Sequence, residues 1–270
     1  MSRQKNSLEA LSFKLVMWGL AAACFLLLML PTLVVIVVSF TSGYSLKFPP
    51  PGYSFRWYVA LIDAWQLHFA AANSLKVALA TTVLAVVLGV AASLAIARSE
   101  KWTARLLDSL FMSPLVLPAL AFGLASLMFF SAIGLPISTA SLVIGHMVVC
   151  VPYVVRTTVA ALAQLNPTLL ESSASLGASK LYTFRRITLP LIRPGILAGA
   201  FIAFMSSFDN VPVSLFLRDA RTDMLPIRMW QDLEGRLDVT IAAVSGVMIV
   251  ITILALVVME RVAGLSRRIR

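Results

Sequence analysis

Apolar residues in this chain gather in long unbroken runs instead of alternating with polar ones. Residues 15–46, 77–97, 109–155 and 239–259 contain no Asp, Glu, Lys or Arg. A bilayer core about 30 Å thick is crossed by about 20 such residues in a helix. The pattern predicts spans over about 14–40, 73–97, 110–133, 139–161, 194–217 and 239–259. The third and fourth share one run and are divided at Gly134-Leu135-Pro136, a strong breaker. The fifth carries one interior charge, Asp209. The expected fold is therefore an all-α membrane protein with six transmembrane helices, both ends of the chain lying on one side.

Composition closes off other classes. The 270 residues are 60% hydrophobic and 13% charged, against about 45–50% and about 25% in soluble domains. A water-facing globule could not cover itself. The net charge of +10 is read as orientation, because cytoplasmic loops collect Lys and Arg. Fifteen of the 22 basic residues fall on the side of the termini, including Arg3, Lys5, Arg98, Lys101, Arg105, Lys180, Arg185, Arg186 and Arg267, Arg268 and Arg270. Both termini, the 98–106 loop and the 162–193 segment are thus expected in the cytoplasm. The chain then divides into an N-terminal tail (1–13), a membrane domain (14–262) and a basic tail (263–270). The first apolar run is about twice the length of a signal-peptide core, so it reads as a retained span. Cys24 and Cys150 sit in apolar runs and suggest neither a disulfide nor a metal site.

Several local features qualify this outline. Pro31, Pro114, Pro118, Pro152 and Pro212 lie inside spans, where each is expected to kink its helix. Residues 52–68 hold Tyr53, Phe55, Trp57, Tyr58 and Trp65, which suits an interfacial helix in the headgroup layer. His146 has no second histidine near it and is expected to make an interhelical hydrogen bond. In the 218–238 loop four arginines face five acids, Asp238 among them, a net of −1. Met224-Leu225-Pro226-Ile227 within it is expected to dip toward the membrane.

The segment over 162–193 is the most informative. Asn166-Pro167 is a strong helix start, a capping side chain followed by proline at the first helical position. The helix predicted over Pro167–Leu176 ends at Gly177, where a left-handed cap is expected. Ser179 can cap a second helix running through Arg185 and Arg186 toward Pro190. A short helix fixed at both ends between two spans can act as a lever for a partner that grips it.

Glu171-Ser172-Ser173, Gly177 and Ile187-Thr188-Leu189-Pro190 resemble, at matching spacings, the cytoplasmic E-A-A…G…I-x-L-P signature of permease subunits of binding-protein-dependent ABC importers. The two alanines are serines here. Ser54-Phe55-Arg56-Trp57-Tyr58, Asn73-Ser74-Leu75, His146 with Pro152-Tyr153-Val154-Val155-Arg156, and Ser207-Phe208-Asp209-Asn210 extend the likeness to the spermidine/putrescine-type permeases, particularly the second of their two permease subunits. Ala119 and Asn210 stand where related chains often carry acids.

The resemblance implies a type I (MetI-like) permease fold in the bacterial inner membrane. It makes Glu171, Ser172, Ser173, Gly177 and Ala178 the coupling element seated on an ATPase subunit. It further implies a second, homologous permease, two ATPase copies and an extracytoplasmic binding protein as partners, with ATP and Mg used by the ATPase and no cofactor bound by this chain. Polyamine is the implied cargo; an opine, an amino-acid derivative or ferric iron are alternatives. Independently, none of the six lysines follows glycine, so the chain lacks a P-loop and is expected not to be an enzyme. Ser206, Ser207, Asp209 and Asn210 are the candidate pathway residues, since a carboxylate deep in a span must face protein or water. An ion-coupled carrier would call for an inverted repeat or paired buried charges, which one Asp near the outer side supports poorly.

Overall fold

In the computed structural model, residues 2–219, 221–236 and 239–263 are described. The basic tail expected over 263–270 lies outside them apart from the helical backbone at Ala263, and so does Asp238. The chain forms two compact units. One comprises the chain to Ala64 together with Asp232–Thr252, and the other Trp65–Gln231 with the residues from Ile253 onward. Five helices are long and apolar enough to cross a membrane, and a bent pair supplies a sixth crossing if it counts as one.

In the first unit, α1 (Ser2–Ser39) carries Pro31 in its interior and ends at Ser39. The hydroxyls of Ser39 and Tyr58 lie 2.7 Å apart, and Ser39 also donates to the Ile36 carbonyl. Tyr58 belongs to α2 (Arg56–Ile62). The aromatic stretch is therefore not one interfacial helix. Its middle forms α2, with Tyr53 and Phe55 ahead of it, whereas Trp65 opens the next membrane helix, α3 (Trp65–Arg98), eight residues before the expected start of span 2. The apolar run marks where hydrocarbon is obligatory; the backbone ladder continues beyond it.

The third expected span is not a kinked rod. Helices α4 (Lys101–Val116) and α5 (Ala119–Ala132) meet at 101°. The ring of Pro118 disfavours a helical residue before it, and Leu117 is extended at φ −73° and ψ 143°. Pro118 has no N–H to continue the ladder. Because α4 begins at Lys101, the basic 98–106 loop shrinks to Ser99 and Glu100. Beyond α5, Gly134 turns with φ +71°. Ser138 and Ser141 then exchange hydrogen bonds in a capping box that opens α6 (Thr139–Ala163).

Helices α3, α6 and the later α9 (Leu189–Phe208) form the most extensively packed trio. Small residues let their backbones approach, which is how membrane helices associate without a hydrophobic driving force. Ala85, Ala92 and Ser93 of α3 are buried against Val151, Val154 and Val155 of α6, and Ser93 donates to the Gly89 and Val155 carbonyls. A methyl group at Gly199 of α9 would lie 2.9 Å from Val154 Cα and against the Thr157 hydroxyl. Close packing at that contact leaves no space for one.

The segment expected to dip toward lipid is instead protein core. Met224, Leu225 and Ile227, where α11 (Leu225–Arg236) begins, are buried, Met224 and Ile227 in one cluster with Val77, Leu142, Val213 and Leu217. Asn73 donates to the Arg221 and Asp223 carbonyls, and Ser74 accepts from Leu225 N–H, so α3 pins the loop. The last helix, α12 (Thr240–Ala263), closes the described chain.

Candidate functional site

The segment after α6 folds as its caps dictate. Asn166 Oδ1 accepts from Thr168 N–H at 3.0 Å, Pro167 occupies the first turn, and α7 runs Pro167–Ser175. Gly177 has φ +76°. Its N–H donates to the Ala174 carbonyl and that of Ala178 to the Ser173 carbonyl. This is the paired-bond termination that a left-handed residue permits. Ser179 accepts from Tyr182 N–H and opens α8 (Lys180–Thr183).

Between α8 and α9 the chain does not loop. Phe184–Thr188 is a π-helical turn closed by Leu189 N–H donating to the Phe184 carbonyl. Pro190 follows, unable to donate and bulky toward the preceding turn, which accounts for the widened ladder. Helical backbone thus extends continuously over Lys180–Phe208, starting fourteen residues before the expected span 5 at 194 and stopping before its expected end at 217.

The two serines of the signature do different things. Ser173 is buried and its hydroxyl sits 2.8 Å from Thr183 Oγ1, tying α7 to α8. Ser172 and Glu171 are exposed, as are Leu176 (87%), Leu181 and Tyr182. Ala178 is half-buried and completes the cap. The loop helix is therefore held on one side and open on the other, an acidic and apolar face fixed to the base of a membrane helix.

At the far end of α9 the span breaks. Asp209 leaves the helix at φ −102° and ψ 21°, and Asn210 accepts from Val213 N–H at 3.0 Å to cap α10 (Val211–Leu217). Proline at position 212 suits that first turn. His146 of α6 bridges the break: Nδ1 is 2.9 Å from Ser207 Oγ in α9, and Nε2 is 3.1 Å from Ser214 Oγ in α10. All three side chains are buried. Both ring nitrogens are thereby satisfied in either neutral tautomer, since a hydroxyl donates or accepts.

The four candidate pathway residues consequently separate. Ser207 turns inward to His146, Asn210 serves as a cap, Ser206 is half-buried and Asp209 is exposed. Among the described residues Asp209 has no cation and no side-chain hydrogen bond. The interhelical bond expected of His146 is present, but its two serine partners were not legible. Ser214 carries no signal beyond lying seven residues after Ser207, two helical turns on the same face had the helix continued.

Five membrane-length helices, a bent pair that supplies a sixth crossing if it counts as one, and a short helix capped at both ends between two spans are features of a membrane transport subunit. Residues 85–270 match the family of binding-protein-dependent transport system inner membrane components, and the chain belongs to that family. It is a multi-pass inner-membrane permease subunit of an ABC importer with the MetI-like fold. It is 28% identical to the spermidine/putrescine transport system permease protein PotC of Haemophilus influenzae, covering 87% of this chain and 90% of that one. It is 30% identical to the putrescine transport system permease protein PotI of Escherichia coli, covering 78% and 77%. A solved structure of a bacterial alginate ABC transporter in complex with an alginate pentasaccharide-bound periplasmic protein has the same fold. That likeness has a TM-score of 0.67 and 18% identity over 95% of both chains.

Proposed function

We propose that this permease carries a polyamine such as spermidine or putrescine, and that α7 couples it to a separate ATPase on the cytoplasmic side. The observation that carries the coupling reading is the capped loop helix, buried at Ser173 and open at Glu171, Ser172 and Leu176. A partner gripping that face moves α8 and α9 with it, because the backbone is helical without interruption to Phe208. With no lysine after a glycine the chain offers no P-loop, so ATP and Mg belong to the partner. A second homologous permease, two ATPase copies and an extracytoplasmic binding protein complete the assembly. ATP-driven closure of the ATPases draws the coupling helices together and shifts the bundle between inward- and outward-open arrangements. Asp209, exposed at the break of α9, and Ser206 one turn before it are the pathway residues; Ser207 and Asn210 shape the break.

Polyamine cargo is supported by the relatives whose names carry it. Glu171→Arg is expected to abolish uptake of labelled putrescine and copurification of the ATPase, with membrane insertion unchanged. Normal uptake by a stably inserted variant overturns the coupling reading. Transport of an opine, an amino-acid derivative or ferric iron in place of spermidine and putrescine by the wild-type complex overturns the cargo alone.

A further inference from the structure

The underside of the coupling loop holds a cavity of about 220 Å3 that the coupling reading leaves unused. Arg98, the last residue of α3, and Lys180, the first of α8, both line it. Leu170 and Ala174 of α7 with Phe184 and Thr188 of the π turn supply other walls, and no carboxylate lines it. Neither cation has an ion pair or hydrogen bond among the described residues. Two like charges brought to one recess repel until an anion joins them.

Arg98 is also the first charge after the apolar run 77–97, which places the recess at the edge of the hydrocarbon. Directly along α3 lies a second cavity, an apolar groove of about 540 Å3 between α3, α4 and α6. Ala91 in its wall is seven residues before Arg98, two turns along the same side of α3. Leu88, Phe111 and Met147 line it further in. From Arg98 to Leu88 the helix rises about 15 Å, half the thickness of a hydrocarbon core. The groove's own wall on α3, Leu88 to Ala95, covers about 10 Å of that rise, so the cationic recess at the bilayer edge and the apolar groove beyond it together match one leaflet.

We infer that the two cavities together bind one anionic phospholipid, its phosphate between Arg98 and Lys180 and an acyl chain in the groove walled by Ala91. Basic pockets beside membrane helices recognise phospholipid headgroups by this chemistry. A free phosphate would use the recess alone; the groove is what assigns the site to a lipid. The bound headgroup would brace α7 from behind, against the end of α3.

The test uses the full chain in its purified transporter complex, in nanodiscs containing phosphatidylglycerol and phosphatidylcholine. Lipid retained after extraction is counted by native mass spectrometry. Wild type should retain phosphatidylglycerol over phosphatidylcholine by about thirtyfold, two cations at about 1 kcal/mol each. R98Q/K180Q should lose that preference, and R98K/K180R should keep it. Ala91→Trp, which fills the groove and spares both charges, should lower retention of the lipid. Arg105→Gln, an exposed cation on α4 that lines neither cavity, should change nothing. Variants are compared only as intact complexes by size exclusion; single K180Q, at an exposed position, replaces the double variant if that one does not assemble. Unchanged phosphatidylglycerol retention in R98Q/K180Q, or in K180Q where it stands in, overturns the proposal. So does displacement of the lipid by millimolar inorganic phosphate with no effect of Ala91→Trp, which marks a free-anion site. The readout is lipid retention, so it fails or succeeds separately from ATPase coupling.

Discussion

Replacing Gly177 separates two reasons a coupling helix could need glycine. The residue has φ +76°, and a Cβ built on it meets nothing within 4 Å. Space inside this chain is therefore not the constraint; backbone conformation is. A left-handed residue with a Cβ costs about 1–2 kcal/mol, and Asn bears it better because its short polar side chain bonds locally. That cost falls on the two hydrogen bonds that end α7, from Gly177 N–H to the Ala174 carbonyl and from Ala178 N–H to the Ser173 carbonyl. A cap destabilised by 1–2 kcal/mol loses about 5–30-fold in its ordered-to-open ratio. Putrescine uptake by vesicles carrying the complete transporter should fall in the order Gly177, Asn, Ala, Val, with Val lowest because a β-branched residue fits left-handed backbone worst. Amide exchange at Ala178 should rise in the same order. If Ala outperforms the larger Asn, the glycine serves close approach of the partner and the conformational account fails.

Three further outcomes follow from the same geometry. Ser173→Ala should lower thermal stability by about 1 kcal/mol through the lost Thr183 bond; combined with Thr183→Val the loss should be less than additive, and strict additivity refutes the tie. His146→Leu leaves the buried hydroxyls of Ser207 and Ser214 without their partner, a cost of about 1–3 kcal/mol in detergent-solubilised melting. His146→Gln should recover part of it, and a melt unchanged in His146→Leu refutes the bridge. Hydrogen bonds from the Thr222 hydroxyl and from backbone N–H groups hold the Asp219 carboxyl below its ordinary pKa. Its stabilising hold on Arg221 and Thr222 is present above the ordinary carboxylate range and is lost only as pH falls through the depressed value. Thr222 amide protection should persist at pH 5; loss between pH 6 and 5 contradicts the assignment.

The sequence was most legible where local chemistry alone decides the outcome. Asn166, Pro167, Gly177 and Ser179 each act within three residues of themselves, and each stands where capping rules place it. Apolar runs located the membrane helices but not their ends, since nothing in hydropathy stops α3 from starting at Trp65. Pro118 was read as a kink and is a 101° corner. One proline predicts a lost hydrogen bond; whether the chain then bends or turns depends on what the next helix packs against. Here a methyl group at Gly123 of α5 would fall 2.5 Å from the Pro212 carbonyl oxygen. Met224 and Ile227 looked like lipid-facing residues because an apolar side chain fits lipid and protein core alike. Asn73 and Ser74, which decide between them, lie some 150 positions away in the chain.

The π turn at Phe184–Thr188 has a mechanical consequence. By widening the helix without breaking it, the turn leaves Lys180–Phe208 as one strut of 29 residues, about 43 Å end to end. A swing of about 10° at its base carries the tip, where Asp209 sits, through about 7 Å at that length. Any rotation at the base would reach the tip enlarged by the strut's length, at the point where His146 links it to the short helix beyond.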